Sequence, residues 1–143
     1  MILVTGGAGY IGSHFVRTYL AQKKEELVVV DNLSEGHKSA LPQKGVHFFQ
    51  HDIGDLLAME ALLTRFPINA VVHFAASAYV GESQSDPFKY FNNNVVQSLR
   101  LFEAMERAGV RRIVFSSTCA TYGNPKYFPL DEKHPQNLSM CME

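Results

Sequence analysis

The sequence predicts an α/β fold of the Rossmann type, a doubly wound parallel sheet of five strands in the order 3-2-1-4-5. Three observations carry this expectation. Short runs such as Ile2-Leu3-Val4 and Leu27–Val30 are apolar at every position, the pattern of strands buried on both faces. Between them, apolar residues recur at helical spacing. The first run passes directly into Val4-Thr-Gly-Gly-Ala-Gly-Tyr-Ile-Gly12, and the second ends at Asp31. Strands alternating with helices imply a parallel sheet covered on both sides, and right-handed crossovers give the strand order.

The elements follow in turn. Ile2–Thr5 is the first strand, and Ile11, Phe15, Val16, Tyr19 and Leu20 mark the helix after it. Leu27–Val30 is the second strand, followed by a polar loop over 32–45 that holds Gly36 and Pro42. The third strand spans 46–50 and ends near Asp52. Leu56, Met59, Leu62, Leu63 and Phe66 form a helical stripe with Asp55 as its N-cap. The fourth strand spans 70–75. Val95, Leu99, Phe102 and Met105 then form the stripe of a further helix, closed by Gly109 as its C′ residue. The fifth strand begins at Arg112 or Ile113 and runs to Ser116.

The chain has 143 residues, one domain's worth, and a net charge of −1 with no basic stripe. That argues against nucleic acid and anionic membranes as partners. No apolar run approaches the roughly twenty residues of a membrane span. The N-terminus opens on a strand rather than on a charged-then-apolar leader. Cys119 and Cys141 make neither a disulfide framework nor a zinc spacing. His47 and His51 lie four apart about a strand, where that spacing makes no shared face. A cytoplasmic location and no metal site are therefore expected.

Gly6, Gly9 and Gly12 read G-x-x-G-x-x-G, and Gly7, Gly9 and Gly12 read G-x-G-x-x-G. One glycine permits a sharp strand-to-helix turn, one lets the backbone approach a pyrophosphate, and one lets helix and strand pack closely. The helix N-terminus then offers N–H groups to the phosphates. Asp31 stands where a carboxylate accepts from the adenosine ribose hydroxyls and repels a 2′-phosphate. With no arginine beside it, NAD is favoured over NADP. Asp52 either accepts from the adenine amino group or serves a turn. Ala75-Ala76-Ser77-Ala78 admits the cofactor's midsection or simply packs a helix on a strand. Ser116-Ser117-Thr118 either meets a sugar hydroxyl or caps local backbone.

Taken together, the motifs resemble the extended short-chain dehydrogenase/reductase superfamily, and within it the UDP-glucose 4-epimerase branch of the NAD-dependent epimerase/dehydratase family. The matching stretches are residues 4–14, Asp31-Asn-Leu-Ser34, His51-Asp-Ile53, His73-Phe-Ala-Ala76, Tyr79-Val-Gly-Glu-Ser83, Asn93-Asn94-Val95 and 115–123, in the family's order. The resemblance implies that Gly6, Gly9, Tyr10, Ile11 and Gly12 form the pyrophosphate loop. Asp31 and Asn32 would hold the ribose, and Asp52 with Ile53 the adenine. Phe74, Ala75 and Ala76 would line the NAD, with Asn94 nearby and Ser116 toward the nicotinamide. Thr118 takes the family's catalytic Ser/Thr position. The implied reaction removes hydride from C4 of a UDP-sugar to NAD and returns it to the other face. The implied assembly is a homodimer.

Cys119-Ala120 follow Thr118 where the sibling dehydratases carry an Asp-Glu pair and decarboxylases generally keep a Glu, which favours epimerisation. After Pro135-Gln-Asn137 the family continues into Pro-x-x-Pro-Tyr-x-x-x-Lys, whereas this chain reads Leu138-Ser-Met-Cys-Met-Glu143. The nearest tyrosines, Tyr122 and Tyr127, do not stand in that setting. The expectation is a truncated NAD-binding domain over 1–137 with an atypical tail, a sheet incomplete at its C-terminal side with residues 112–116 as its open edge, no substrate-binding C-terminal domain, and NAD binding without turnover.

Overall fold

The computed structural model describes residues 1–136, so the tail read from Leu138 to Glu143 lies outside the described residues. β1 (Ile2–Thr5) pairs in parallel with β2 (Leu27–Val30) on one side and β4 (Ala70–His73) on the other. β3 (Val46–Phe49) and β5 (Ile113–Phe115) complete a parallel sheet in the order β3-β2-β1-β4-β5, as the sequence predicts. The helices are α1 (Tyr10–Lys23), α2 (Leu56–Arg65), α3 (Val80–Ser85), α4 (Pro87–Tyr90) and α5 (Gln97–Arg107). A π-helical turn, Phe91–Val96, joins α4 to α5.

The strand period of two decides which side chains meet which helices. Leu3, Val28, Val30 and Val71 face Met59, Leu62 and Leu63 of α2 and Leu101, Ala104 and Met105 of α5. Val4, Leu27, Val29 and Val72 face the opposite side, with Val16 of α1. All of these residues are buried, which explains why the strand runs read as continuously apolar.

Helix ends follow local chemistry. Asp55 Oδ1 accepts from Ala58 N at 3.1 Å, the N-cap expected for α2. α5 ends in a Schellman arrangement: Gly109, at φ 73°, donates to Glu106 O at 3.0 Å, and Val110 N donates to Met105 O at 2.8 Å.

Three expectations need correction. β3 stops at Phe49 rather than Gln50, β4 at His73 rather than Ala75, and β5 at Phe115 rather than Ser116. The register explains two of these ends, since Thr5, the last residue of β1, lies opposite His73, which in turn lies opposite Phe115. Ile11 is exposed because it sits in the first turn of α1, beyond the strand end. The third correction is larger. Of the stripe Val95, Leu99, Phe102 and Met105, only Met105 is buried, while Leu99 is 59 % exposed. The core face of α5 is Ser98, Leu101, Ala104 and Met105. The helix carries two apolar stripes. The inward one includes a polar residue because Ser98 Oγ meets buried His73 Nε2 at 3.2 Å. A buried hydroxyl with a partner costs little.

β5 lies at the sheet edge with Ile113, Val114 and Phe115 all exposed, as expected for residues 112–116. No described helix is long and apolar enough to cross a membrane.

The assignment of the α5 face is checked by a pair of substitutions. Leu101→Ala should cost about 2–5 kcal/mol in urea unfolding, as a truncated core leucine does. Leu99→Ala should change stability by less than about 0.5 kcal/mol. The reverse ranking would restore the stripe read from the sequence.

Candidate functional site

At the carboxyl ends of β1, β2 and β4 the chain opens into a cleft lined by Gly6, Gly9, Asp31, Ile53, Phe74 and Ala75, among others. Parallel sheets bind ligands there, where the winding reverses. The floor is the glycine loop. Gly6 lies at φ 68°, and a β-carbon on it would come within 2.5 Å of Ala75 N. One on Gly12 would overlap Gly6 O and approach Gly7 Cα to 2.8 Å. Only backbone fits between α1 and the strand ends.

The N-cap of α1 is Gly9, which offers no side-chain cap, and the first turn carries no acid. The first N–H groups of a helix have no acceptor within it, so the positive end of α1 is left for an anion. Tyr10 and Ile11 turn their side chains to solvent and offer backbone at this end.

Asp31 is only 7 % exposed. Its Oδ2 accepts from Ala8 N in the glycine loop at 2.9 Å, and its Oδ1 accepts from Leu33 N at 2.8 Å. The carboxylate therefore ties the β2 loop to the phosphate loop, and His37 N reinforces the tie by donating to Ala8 O at 3.0 Å. Asn32 sits beside it, its Nδ2 donating to Asp52 Oδ2 at 3.5 Å. Asp52 Oδ1 accepts from Gly54 N at 2.8 Å, so the turn role weighed for Asp52 is present in its geometry.

The other wall is the segment after β4. Phe74, Ala75 and Ala76 line the cleft directly. Asn94, from the π-helical turn, stands behind them. Its Oδ1 accepts from Ser77 N at 2.9 Å and its Nδ2 donates to Ser77 O at 3.0 Å. Single π turns are frequent at functional sites, and here the turn delivers an amide that holds the wall.

Ser116 and Thr118 follow β5 at the same sheet end but do not line this cleft. Ser116 N donates to His73 O at 3.2 Å. Ser117 turns the chain through a left-handed conformation, φ 57°, and Thr118 is half-buried just after it. Tyr122 has Lys126 four residues on, a spacing that a helix would bring onto one face. Here Cys119–Tyr122 is a short 3-10 turn and the chain beyond it, with Pro125, is irregular, so the spacing places no such pair. Among the described residues no group of three or more His, Cys, Asp or Glu could hold a metal ion.

Residues 2–139 match the family model described as the NAD dependent epimerase/dehydratase family. The chain belongs to that family. It is 48 % identical over 135 residues to a UDP-glucose 4-epimerase of Lacticaseibacillus casei, covering 94 % of this chain and 40 % of the relative. It is 43 % identical over 143 residues to UDP-arabinose 4-epimerase 1 of Arabidopsis thaliana, covering 94 % of this chain and 34 % of that protein. Among solved structures, the UDP-glucose 4-epimerase from Brucella ovis in complex with NAD superposes with a TM-score of 0.87 at 43 % identity, over 99 % of this chain and 42 % of that one. The chain thus spans well under half the length of these relatives.

In this epimerase/dehydratase chain, sequence reading missed the buried polar groups that hold the site. His73 is 3 % exposed, with Nδ1 2.6 Å from Thr5 Oγ1 and Nε2 3.2 Å from Ser98 Oγ. It ties β1, β4 and α5 together just below the cleft. On the outer wall, buried Tyr90 donates to Glu82 Oε2 at 2.6 Å, and Lys89 Nζ meets Glu82 Oε1 at 2.6 Å. A histidine between apolar strand residues is the one signal the sequence carried for the first. Nothing short of the fold indicates the second.

Burial lowers the His73 pKa from 6.5 to about 4. The native state therefore keeps His73 neutral where the unfolded chain is protonated. Its contribution is complete above about pH 6.5 and is lost as pH falls toward 4. Unfolding free energy should drop by on the order of 3 kcal/mol across that window from this group alone. Urea titrations from pH 7 to pH 4 should show this slope, and His73→Asn should flatten it. A variant with an unchanged slope would assign the effect elsewhere.

Proposed function

We propose that this chain is the dinucleotide-binding part of an NAD-dependent UDP-sugar 4-epimerase. The observation that carries this reading is the acid-free, uncapped N-terminus of α1, set between a glycine floor and the Asp31 carboxylate. A pyrophosphate and an adenosine ribose are what such a pairing recognises.

Backbone N–H groups at Tyr10, Ile11 and Gly12 hold the pyrophosphate. Each Asp31 oxygen bonds one backbone N–H and keeps a further lone pair for a ribose hydroxyl. Asn32 joins it, and Asp52 with Ile53 receives the adenine. Phe74, Ala75 and Ala76 lie along the midsection, the two alanines leaving room, while Asn94 fixes the backbone next to them. Ser116 lies toward the nicotinamide. NAD, when bound, would supply a reversible acceptor for the hydride from C4 of the sugar.

Thr118 is the residue assigned to the reacting sugar hydroxyl, to which it hydrogen-bonds. A threonine hydroxyl is a poor base, and general-base catalysis needs a group tuned toward neutral pH. The family's tyrosine–lysine pair has no counterpart in its usual setting here. The reading for the chain alone is NAD binding without turnover. Calorimetry should give NAD at least about tenfold tighter than NADP, a difference of about 1.4 kcal/mol, and Asp31→Ala should narrow the gap. Equal or tighter NADP binding would overturn the ribose assignment. Conversion of UDP-galactose to UDP-glucose by the pure chain would overturn the reading of inactivity.

The family resemblance also supports a homodimer. Phe88, Phe91, Val95, Leu99 and Phe102 are exposed apolar residues spaced three and four apart along α4, the π turn and α5. Contiguous exposed apolar surface of this kind marks a contact. Sedimentation should show concentration-dependent dimers, weakened by Leu99→Glu. A monomer at high concentration, before and after that substitution, would reject the assembly.

A further inference from the structure

The rim of the cleft carries a contact that crosses it. Tyr79 Oη donates to Glu35 Oε2 at 3.1 Å. Glu35 belongs to the loop after β2, whereas Tyr79 belongs to the segment after β4, 44 residues later. Both line the same cleft as Gly6 and Gly9. Both are exposed, Tyr79 at 58 %, so the bond runs between the two walls on the solvent side of the floor.

Each wall is anchored independently of this bond. Behind Tyr79, its own N–H donates to the buried Tyr90 hydroxyl at 3.2 Å, and Asn94 grips both backbone groups of Ser77. Around Glu35, Asp31 accepts from Leu33 N and Asn32 Oδ1 accepts from Ser34 N at 2.9 Å. The movable parts are therefore the two side chains. By accepting this hydrogen bond, the Glu35 carboxylate holds the Tyr79 phenol above its ordinary pKa. Both partners are solvent-exposed, and an exposed hydrogen bond exchanges easily for bonds to water, so this one opens and recloses readily.

We propose that Tyr79 and Glu35 form a strap over the cleft that gates entry and exit of the dinucleotide. The inference rests on the NAD reading above. A strap that closes equally with and without ligand slows association and dissociation together and leaves affinity unchanged. A side chain that contacts the ligand does otherwise, since its loss raises dissociation alone and weakens binding.

The test uses the full chain and isotopically labelled NAD. Association and dissociation rates are measured by rapid filtration, the latter into excess unlabelled NAD. Tyr79→Phe and Glu35→Ala should each raise both rates by about threefold to tenfold, with Kd unchanged within twofold. The double variant should match the single ones, because both remove one bond. Unchanged rates, a weakened Kd with faster dissociation only, or additive effects would each overturn the strap. In all three cases NAD still binds and the functional reading survives. Absence of NAD binding by the parent chain would overturn both.

Discussion

The closeness of the Gly6 backbone to Ala75 constrains everything else at this end of the sheet. β1 and β4 are adjacent, and their chains must leave in different directions at the same level. With Gly6 in a left-handed conformation and its α-carbon set against the Ala75 backbone, the chain from β1 turns at once into α1. Gly12 then lies on the Gly6 carbonyl, and the first turn of α1 projects past the strand ends. A side chain at either position would lift the helix, close the opening and misdirect the N–H groups. The anion site proposed at this end would follow from packing without β-carbons.

The polar groups around that opening serve structure and site together. Asp31 is the ribose ligand of the proposed function, and its carboxylate already closes two backbone turns. Such a carboxylate arrives oriented, and preorganisation spares binding the cost of fixing it. His73 plays the corresponding part beneath the cleft, joining a strand on either side of the winding reversal to α5. Buried polar groups of this sort specify one arrangement because no other satisfies them.

Much of this was legible in the chain. Continuously apolar strands, the helical stripe on α2, the Asp55 cap and Gly109 are local signals, and each formed as read because its physics is local. The glycine spacing and Asp31 were legible for a related reason: their chemistry is tied to the strand-to-helix junctions that the same residues announce. Asn94 was legible as a neighbour of the site, but its grip on Ser77 was not. That grip depends on a π turn whose register nothing in Phe91–Val96 declares. The face of α5 was misread because Val95, Leu99 and Phe102 are as apolar as a core stripe. The choice was made by Ser98 finding His73.

The sequence by itself determined the fold class, the strand order, the position of the cleft and the residues of its floor. All of these rest on period, handedness and backbone freedom, which short segments carry with them. Only the tertiary structure decided which stripe of α5 is buried, where the strands stop, that Tyr122 and Lys126 share no helical face, and that Tyr79 reaches Glu35 across the rim. These depend on distances between segments tens of residues apart. Such distances are set by how the helices settle on the sheet, not by any residue's own preference.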